Sequence, residues 1–373
     1  MFQQFGAGAA GAILFACGWL SITSCSAGET RGASTAAGEA AIGQSTKAAL
    51  QGNARLAASH LRAVPRNNFA GKDITYRQCM LQRFGTNAAP PARPDVGDPF
   101  VSEVLGLYQT YWWHSLMSPP ERDRYSRELQ RDLSSALGES TVIEDWDELD
   151  ERVAGELRAR GYYSQLGNTP PLRELMVWRK QVSSLHEVEL PERTYPVQVE
   201  VLDDFVTRGW SSYARCERSS NGGWATDERL YAVGPAFPQG LDSEAFRASL
   251  LGHETQHFAD LRQFPSLAPW ELEYRAKLTE LWMARDSLRF LLGKFNRDQG
   301  DDEQAPHLFA NKRVLRDLQA HLSAHGSTPA RDDLSDVPAD QLRAAAAAVL
   351  ARDTRIREHA VGMAGTSPAM PGK

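Results

Sequence analysis

The chain has 373 residues, with 41 Lys and Arg against 47 Asp and Glu, and a formal net charge of −6. The two signs are interspersed, with no basic patch of the kind nucleic acid requires, so nucleic acid is not an expected partner. Hydrophobic content is 42%, ordinary for a chain long enough to bury a sizeable core, and neither an internal repeat nor a phosphate-cradling glycine motif stands out.

The first signal in chain order is the apolar run from Ala7 to Thr23, closed by Ile22-Thr23-Ser24-Cys25. A short apolar segment ending in small residues suits a secretion signal better than a spanning helix. Ile-Thr-Ser-Cys resembles the bacterial lipobox, which implies removal of residues 1–24, lipidation of Cys25 and attachment to a membrane through that lipid anchor. The segment before the apolar run carries no Lys or Arg, and Leu14-Phe15-Ala16-Cys17 is a second, poorer match. The expected location is therefore the bacterial cell envelope, facing the periplasm or held at the outer membrane. Residues 25–45 are small and polar and predict a flexible tether. With Cys17 removed and Cys25 lipidated, Cys79 and Cys216 remain, and an oxidising compartment predicts a disulfide between them, with two free thiols as the alternative.

Residues 46–180 form a helical N-terminal region by pattern. Helices are predicted from Ala48 to Leu61, from Val101 to Met117, from Pro119-Pro120 to about Leu137, and from Asp145 to Arg160. Tyr108, Tyr111, Trp112 and Trp113 are expected in the core. Gly167-Asn168-Thr169-Pro170-Pro171 reads as the start of a further helix, from Leu172 to Leu185. Residues 181–300 then change character. Strands are predicted at 186–190, at 195–202 with its Pro-Val-Gln-Val-Glu-Val alternation, and at 229–233 before Gly234-Pro235. From about 301 to 373 a helical C-terminal extension follows, with helices at 305–325 and 338–359. His307, His321, His325 and His359 show no ligand-like partners and are expected at the surface.

A helix opens at Leu241-Asp242-Ser243 and runs to Phe264, before Pro265. It carries His253-Glu254-Thr255-Gln256-His257, which places both imidazoles one turn apart on one face. The stripe Phe246, Leu250, His253, His257, Leu261 points that face at the core. Two core histidines beside a glutamate are costly to bury unless a cation shares them. This H-E-x-x-H pattern fits Zn2+ held by His253 and His257, with Glu254 as general base. Catalytic zinc keeps three protein ligands, and the next predicted helix, from Pro269 to about Leu292, carries Glu271, Glu273 and Glu280. At this point the chain resembles the gluzincins, thermolysin-like metallopeptidases. Glu273-Tyr274-Arg275-Ala276-Lys277 is similar to their second motif and implies Glu273 as third ligand, at a spacing from His257 shorter than usual.

Glu280 and Glu271 stay open as alternative ligands, with a supporting role behind the ligands suited to Glu280. Asp260, one turn beyond His257, is a second residue that can orient an imidazole. The metzincin pattern fits poorly, because Gln263 stands where its third ligand belongs. The resemblance implies a zincin-like core of small mixed sheet and two metal helices, with strand 229–233 lining a cleft and offering its edge to a peptide or protein substrate. The expectation is a mostly helical α+β protein acting as an exported zinc metallopeptidase. The rival expectation is an envelope lipoprotein that binds a partner and keeps a structural or vestigial zinc site.

Overall fold

The computed structural model describes residues 33–364 except 87, 93, 219–221, 227, 228, 328 and 330. The signal-like segment, Cys17 and Cys25 therefore lie outside the described residues. The fold is α+β, 58% helical, with one five-stranded curled sheet. Its strands are β1 (Tyr163–Thr169), β2 (Leu172–Glu189), β3 (Thr194–Arg208), β4 (Gly223–Ala225) and β5 (Leu230–Val233), in the order β1-β2-β3-β5-β4. The chain divides into two compact units. The first holds the described parts of Ser21–Val182 and Leu202–Ser220, and the second those of Ser183–Val201 and Asn221–Lys373. Among the described residues no helix is long and apolar enough to cross a membrane.

In the first unit, α1 (Ala36–Leu50) occupies much of the segment expected as a flexible tether. Thr35 caps it by accepting the Gly38 N–H at 3.2 Å. The small side chains that suggested a linker are what let it pack closely, since Ala41, Ala48 and Ala49 bury beside Ala54, Ala57 and Ala58 of α2 (Ala54–Arg62). The helix predicted from 48 to 61 is thus two helices. Gly52, at φ 74°, and the Asn53 cap of α2 separate them. Next come α3 (Gly71–Phe84), α4 (Pro99–Met117), α5 (Arg122–Ala136) and α6 (Trp146–Ala159). Tyr108, Tyr111 and Trp112 are core residues, and Trp113 packs against that core half-buried. The disulfide between Cys79 of α3 and Cys216 is formed, with Cα atoms 6.1 Å apart.

The segment from Leu172 is strand, not helix. Its helix formers are overridden by pairing in register with β1, from Tyr163 opposite Trp178 to Thr169 opposite Leu172. A short α7 (Gly209–Tyr213) follows β3.

The second unit begins with the far half of β2 and the near half of β3. β5 lies between β3 and β4, and Trp224 of β4 stacks on Tyr231 across from it at 5.1 Å. Residues 229–233 therefore do not form the free edge expected of them, because both sides of β5 are already paired. The helices are α8 (Glu244–Phe246), α9 (His253–Gln263), α10 (Pro269–Met283), α11 (Leu288–Arg297), α12 (Pro306–Ala324) and α13 (Ala339–Ala364). The single helix predicted from Pro269 to Leu292 breaks after Met283. Glu244 holds the break by accepting the N–H groups of Asp286 at 3.1 Å and Ser287 at 2.8 Å. α10 is buried on every side from Leu272 to Leu281 and packs against α9, α12 and α13. The C-terminal helices read as an extension thus belong to the same compact unit as the histidine motif and share its core.

Candidate metal centre

The helix carrying the motif is not uniform. Ser243 caps α8 by accepting the Phe246 N–H at 3.3 Å, after which Arg247–Gly252 winds as a π-helix before the regular turns of α9. Such wide turns are rare and recur at functional sites. Gly252 lets the Met283 side chain of α10 lie directly against the α9 backbone, where a Cβ would force its sulfur aside. That close approach, immediately before His253, brings the two helices together at the motif.

His253, Glu254, His257 and Glu273 are all buried. His253 Nε2 lies 3.5 Å from Glu273 Oε2, and His257 Nε2 lies 3.5 Å from Glu273 Oε1. Ligand atoms about 2.0–2.2 Å from a tetrahedral zinc stand about 3.3–3.6 Å apart, so both separations suit a shared ion. One ligand atom from each of His253, His257 and Glu273 falls within 4.8 Å of the others. His253 Nε2 and both Glu273 oxygens are buried without a hydrogen bond. Buried polar atoms are normally paired, and a divalent cation at their meeting point satisfies all three.

The other sequence-chosen acids have distinct places. Glu280 Oε2 lies 3.6 Å from His253 Nδ1, on the side of the ring away from Glu273. That is the position from which a carboxylate fixes the tautomer and direction of a metal-binding imidazole. Glu271 is no ligand: one oxygen accepts the Ala268 N–H at 2.8 Å and the other pairs with Arg357 at 2.9 Å. Asp260 is turned toward Arg275, with 2.8 Å between Oδ1 and Nε, and does not serve an imidazole as expected. It also accepts from Gln256 at 2.8 Å, and Gln256 in turn accepts from Thr279 at 2.7 Å. Arg275 reaches on to Asp353 at 2.7 Å and Thr354 at 3.0 Å. This buried chain ties α9 to α10 and α10 to α13, holding the two helices of the histidine–glutamate cluster in register.

The charges agree with a cation site. Burial opposes protonation of His253, but the carboxylates of Glu273, Glu280 and Glu254 outweigh it and hold the pKa up at about 10. Burial likewise opposes ionisation of Glu273, yet His307 and His253 hold its carboxyl well below the ordinary range. Glu280 is held down at about 2 against burial, chiefly by His253. Without metal, a proton on the imidazole balances the carboxylates.

Sequence reasoning missed His307, expected at the surface. It stands on the first turn of α12, and its Nδ1 is 2.7 Å from Glu273 Oε2. Its only sequence signal is a histidine directly after the helix-opening Pro306. His321 and His325 do stack on each other, at 4.1 Å, on the far end of the same helix.

No family model, curated protein or solved structure matches this chain.

Proposed function

We propose that the chain is a zinc-dependent metallopeptidase of gluzincin type. In this reading His253, His257 and Glu273 hold the ion, Glu254 is the general base, and the second unit supplies a zincin-like core. One observation carries it: two imidazoles one turn apart meet a buried carboxylate from the next helix, at separations a single zinc spans. We further propose, on the Ile22-Thr23-Ser24-Cys25 pattern, that the protein is exported and lipid-anchored in a bacterial envelope and acts there on peptides or proteins.

A bound zinc ion supplies Lewis acidity and brings the pKa of a water near neutrality. The protein's own groups do the rest. Glu254, buried on the same turn as His253, takes the proton from the attacking water and passes it to the leaving amine. Glu280 fixes His253, and the Gln256–Asp260–Arg275 chain keeps α9 from shifting against α10. Replacing Glu254 by Gln retains the shape and removes the base. The expected outcome is unchanged zinc content with peptide-library cleavage reduced by about 10²–10⁴-fold. Equal cleavage by both proteins, or none by either with zinc bound, contradicts the peptidase reading.

A second reading has its own observation. His307 lies against Glu273 and the other groups are buried, as in a structural zinc site with four protein ligands. In that case the protein is a non-catalytic envelope module that binds a partner, and zinc removal unfolds it without any cleavage being lost.

A further inference from the structure

His307 reaches the centre from a third helix. Its Nδ1 is shielded from solvent and has no hydrogen bond, as are His253 Nε2 and both Glu273 oxygens. The 2.7 Å contact with Glu273 Oε2 is close enough for a hydrogen bond, but the ring nitrogen is not aligned for one. Two polar atoms therefore crowd together without bonding each other. A cation drawing on both relieves this, because as ligands of one zinc the two atoms stand about 3.3–3.6 Å apart, with the His307 ring swinging inward from the rim to join the other donors. The two H-E-x-x-H imidazoles and the Glu273 carboxylate form the compact three-ligand group, and His307 Nδ1 stands just outside it, against the Glu273 Oε2 edge, as an adjacent nitrogen donor.

The place of His307 in the fold sets it apart from the other three. Its side chain is 32% exposed, against 5% or less for those of His253, His257 and Glu273. It sits on the first turn of α12, just beyond Pro306, where the backbone lacks the full set of intrahelical bonds. Four consecutive exposed residues, Asp301 to Gln304, lead into that turn. The body of α12 is anchored by Ala310, Val314 and Leu318 in the core, so the first turn can loosen while the helix stays. The tight ligands come from the buried helices α9 and α10, and the loose one comes from a helix end facing solvent.

We propose that His307 is a fourth, displaceable protein ligand that closes the metal centre at rest and leaves when an outside ligand enters. This rests on the reading that His253, His257 and Glu273 bind zinc. It deepens that reading by making the resting protein latent, with substrate competing against an imidazole of the chain itself. It also reconciles a four-donor site with a retained general base at Glu254.

The test uses the full chain loaded with zinc for X-ray absorption and with Co2+ for visible absorption, with acetohydroxamate as the outside ligand. In wild type the expected first shell contains three imidazoles, falling to two on saturation with acetohydroxamate. His307→Ala is expected to show two imidazoles from the start and a cobalt spectrum shifted toward higher coordination. It should bind acetohydroxamate at least about tenfold more tightly, and zinc at least about tenfold more weakly, the scale set by loss of even an outer partner. The imidazole count in wild type needs no variant, so it stands if His307→Ala fails to fold. Two imidazoles in wild-type protein, with affinity and spectrum unaltered in His307→Ala, overturns the closure while leaving the zinc reading intact. Three imidazoles that acetohydroxamate never displaces overturn displaceability and favour the structural site. A wild-type chain that retains no zinc after dialysis overturns the underlying reading, and the closure with it.

Discussion

Glu174 in the first unit and Glu273 in the second are both buried glutamates, and they differ in what surrounds their oxygens. Glu174 Oε1 accepts the backbone N–H groups of Trp210 at 2.8 Å and Leu175 at 3.1 Å. The first of these bonds joins β2 to the start of α7, and burial still lifts the carboxyl pKa to about 7. Neither oxygen of Glu273 has a hydrogen bond; three imidazoles face it, with the Lys277 ammonium 3.7 Å from Oε2. A buried carboxylate paired with fixed amides belongs to the architecture. One that meets nitrogen donors without bonding them has the makeup of a group that could hold a cation. Burial alone does not separate the two cases, but the partners do.

The largest effect that can break this contrast is on metal binding. Structural zinc in small domains binds with about 10–16 kcal/mol shared among four ligands, so each is worth about 2.5–4 kcal/mol. Glu273→Gln is expected to weaken zinc binding by about 10²–10³-fold in chelator competition, whereas Glu174→Gln leaves it unchanged. Equal effects from the two substitutions erase the distinction.

Stability against pH probes the Glu174 side. Its pKa in the folded chain is raised above the ordinary 4.5 to about 7. Its contribution is therefore fully present below pH 4.5 and is lost as pH rises through about 7. A shift of that size corresponds to about 3 kcal/mol. Urea unfolding at pH 4.5 and pH 8 is expected to show that loss in wild type and not in Glu174→Gln. An identical pH dependence in the variant removes Glu174 as the cause.

Glu280 gives a smaller effect. It touches His253 from behind, so Glu280→Gln is expected to lower zinc affinity by about 10–100-fold while keeping stoichiometry at one. A complete loss of zinc in that variant makes Glu280 a ligand in its own right.

The helices α9 and α10 were legible because their information is local. A pair of histidines four apart on a buried stripe needs only helix geometry, and Glu273 follows on the next helix. The structure places all three together. α4, α5 and α6 were legible for the same reason, although α4 starts at Pro99 behind an Asp98 cap that its apolar pattern did not show. What failed was non-local. Leu172 to Leu185 is composed of helix formers, and only its partner β1 makes it a strand. Residues 36–45 read as a linker until a second alanine face lies against the helix they open. The strand order that places β5 between β3 and β4 comes from no local pattern. His307 is the clearest case: 34 residues separate it from Glu273, and only the packing of α12 on α10 brings it to the centre.

The most direct test is a calorimetric titration of metal-free protein with zinc at pH 7.5, repeated in buffers of different ionisation enthalpy. His253 has its pKa raised from the ordinary 6.5 to about 10. It is thus protonated in the metal-free chain at this pH, a contribution to stability present below 6.5 and lost as pH rises through about 10. The account predicts one zinc per chain, released protons on binding, and loss of binding in the double variant His253→Ala, His257→Ala. No bound zinc, or binding indifferent to both substitutions, contradicts it.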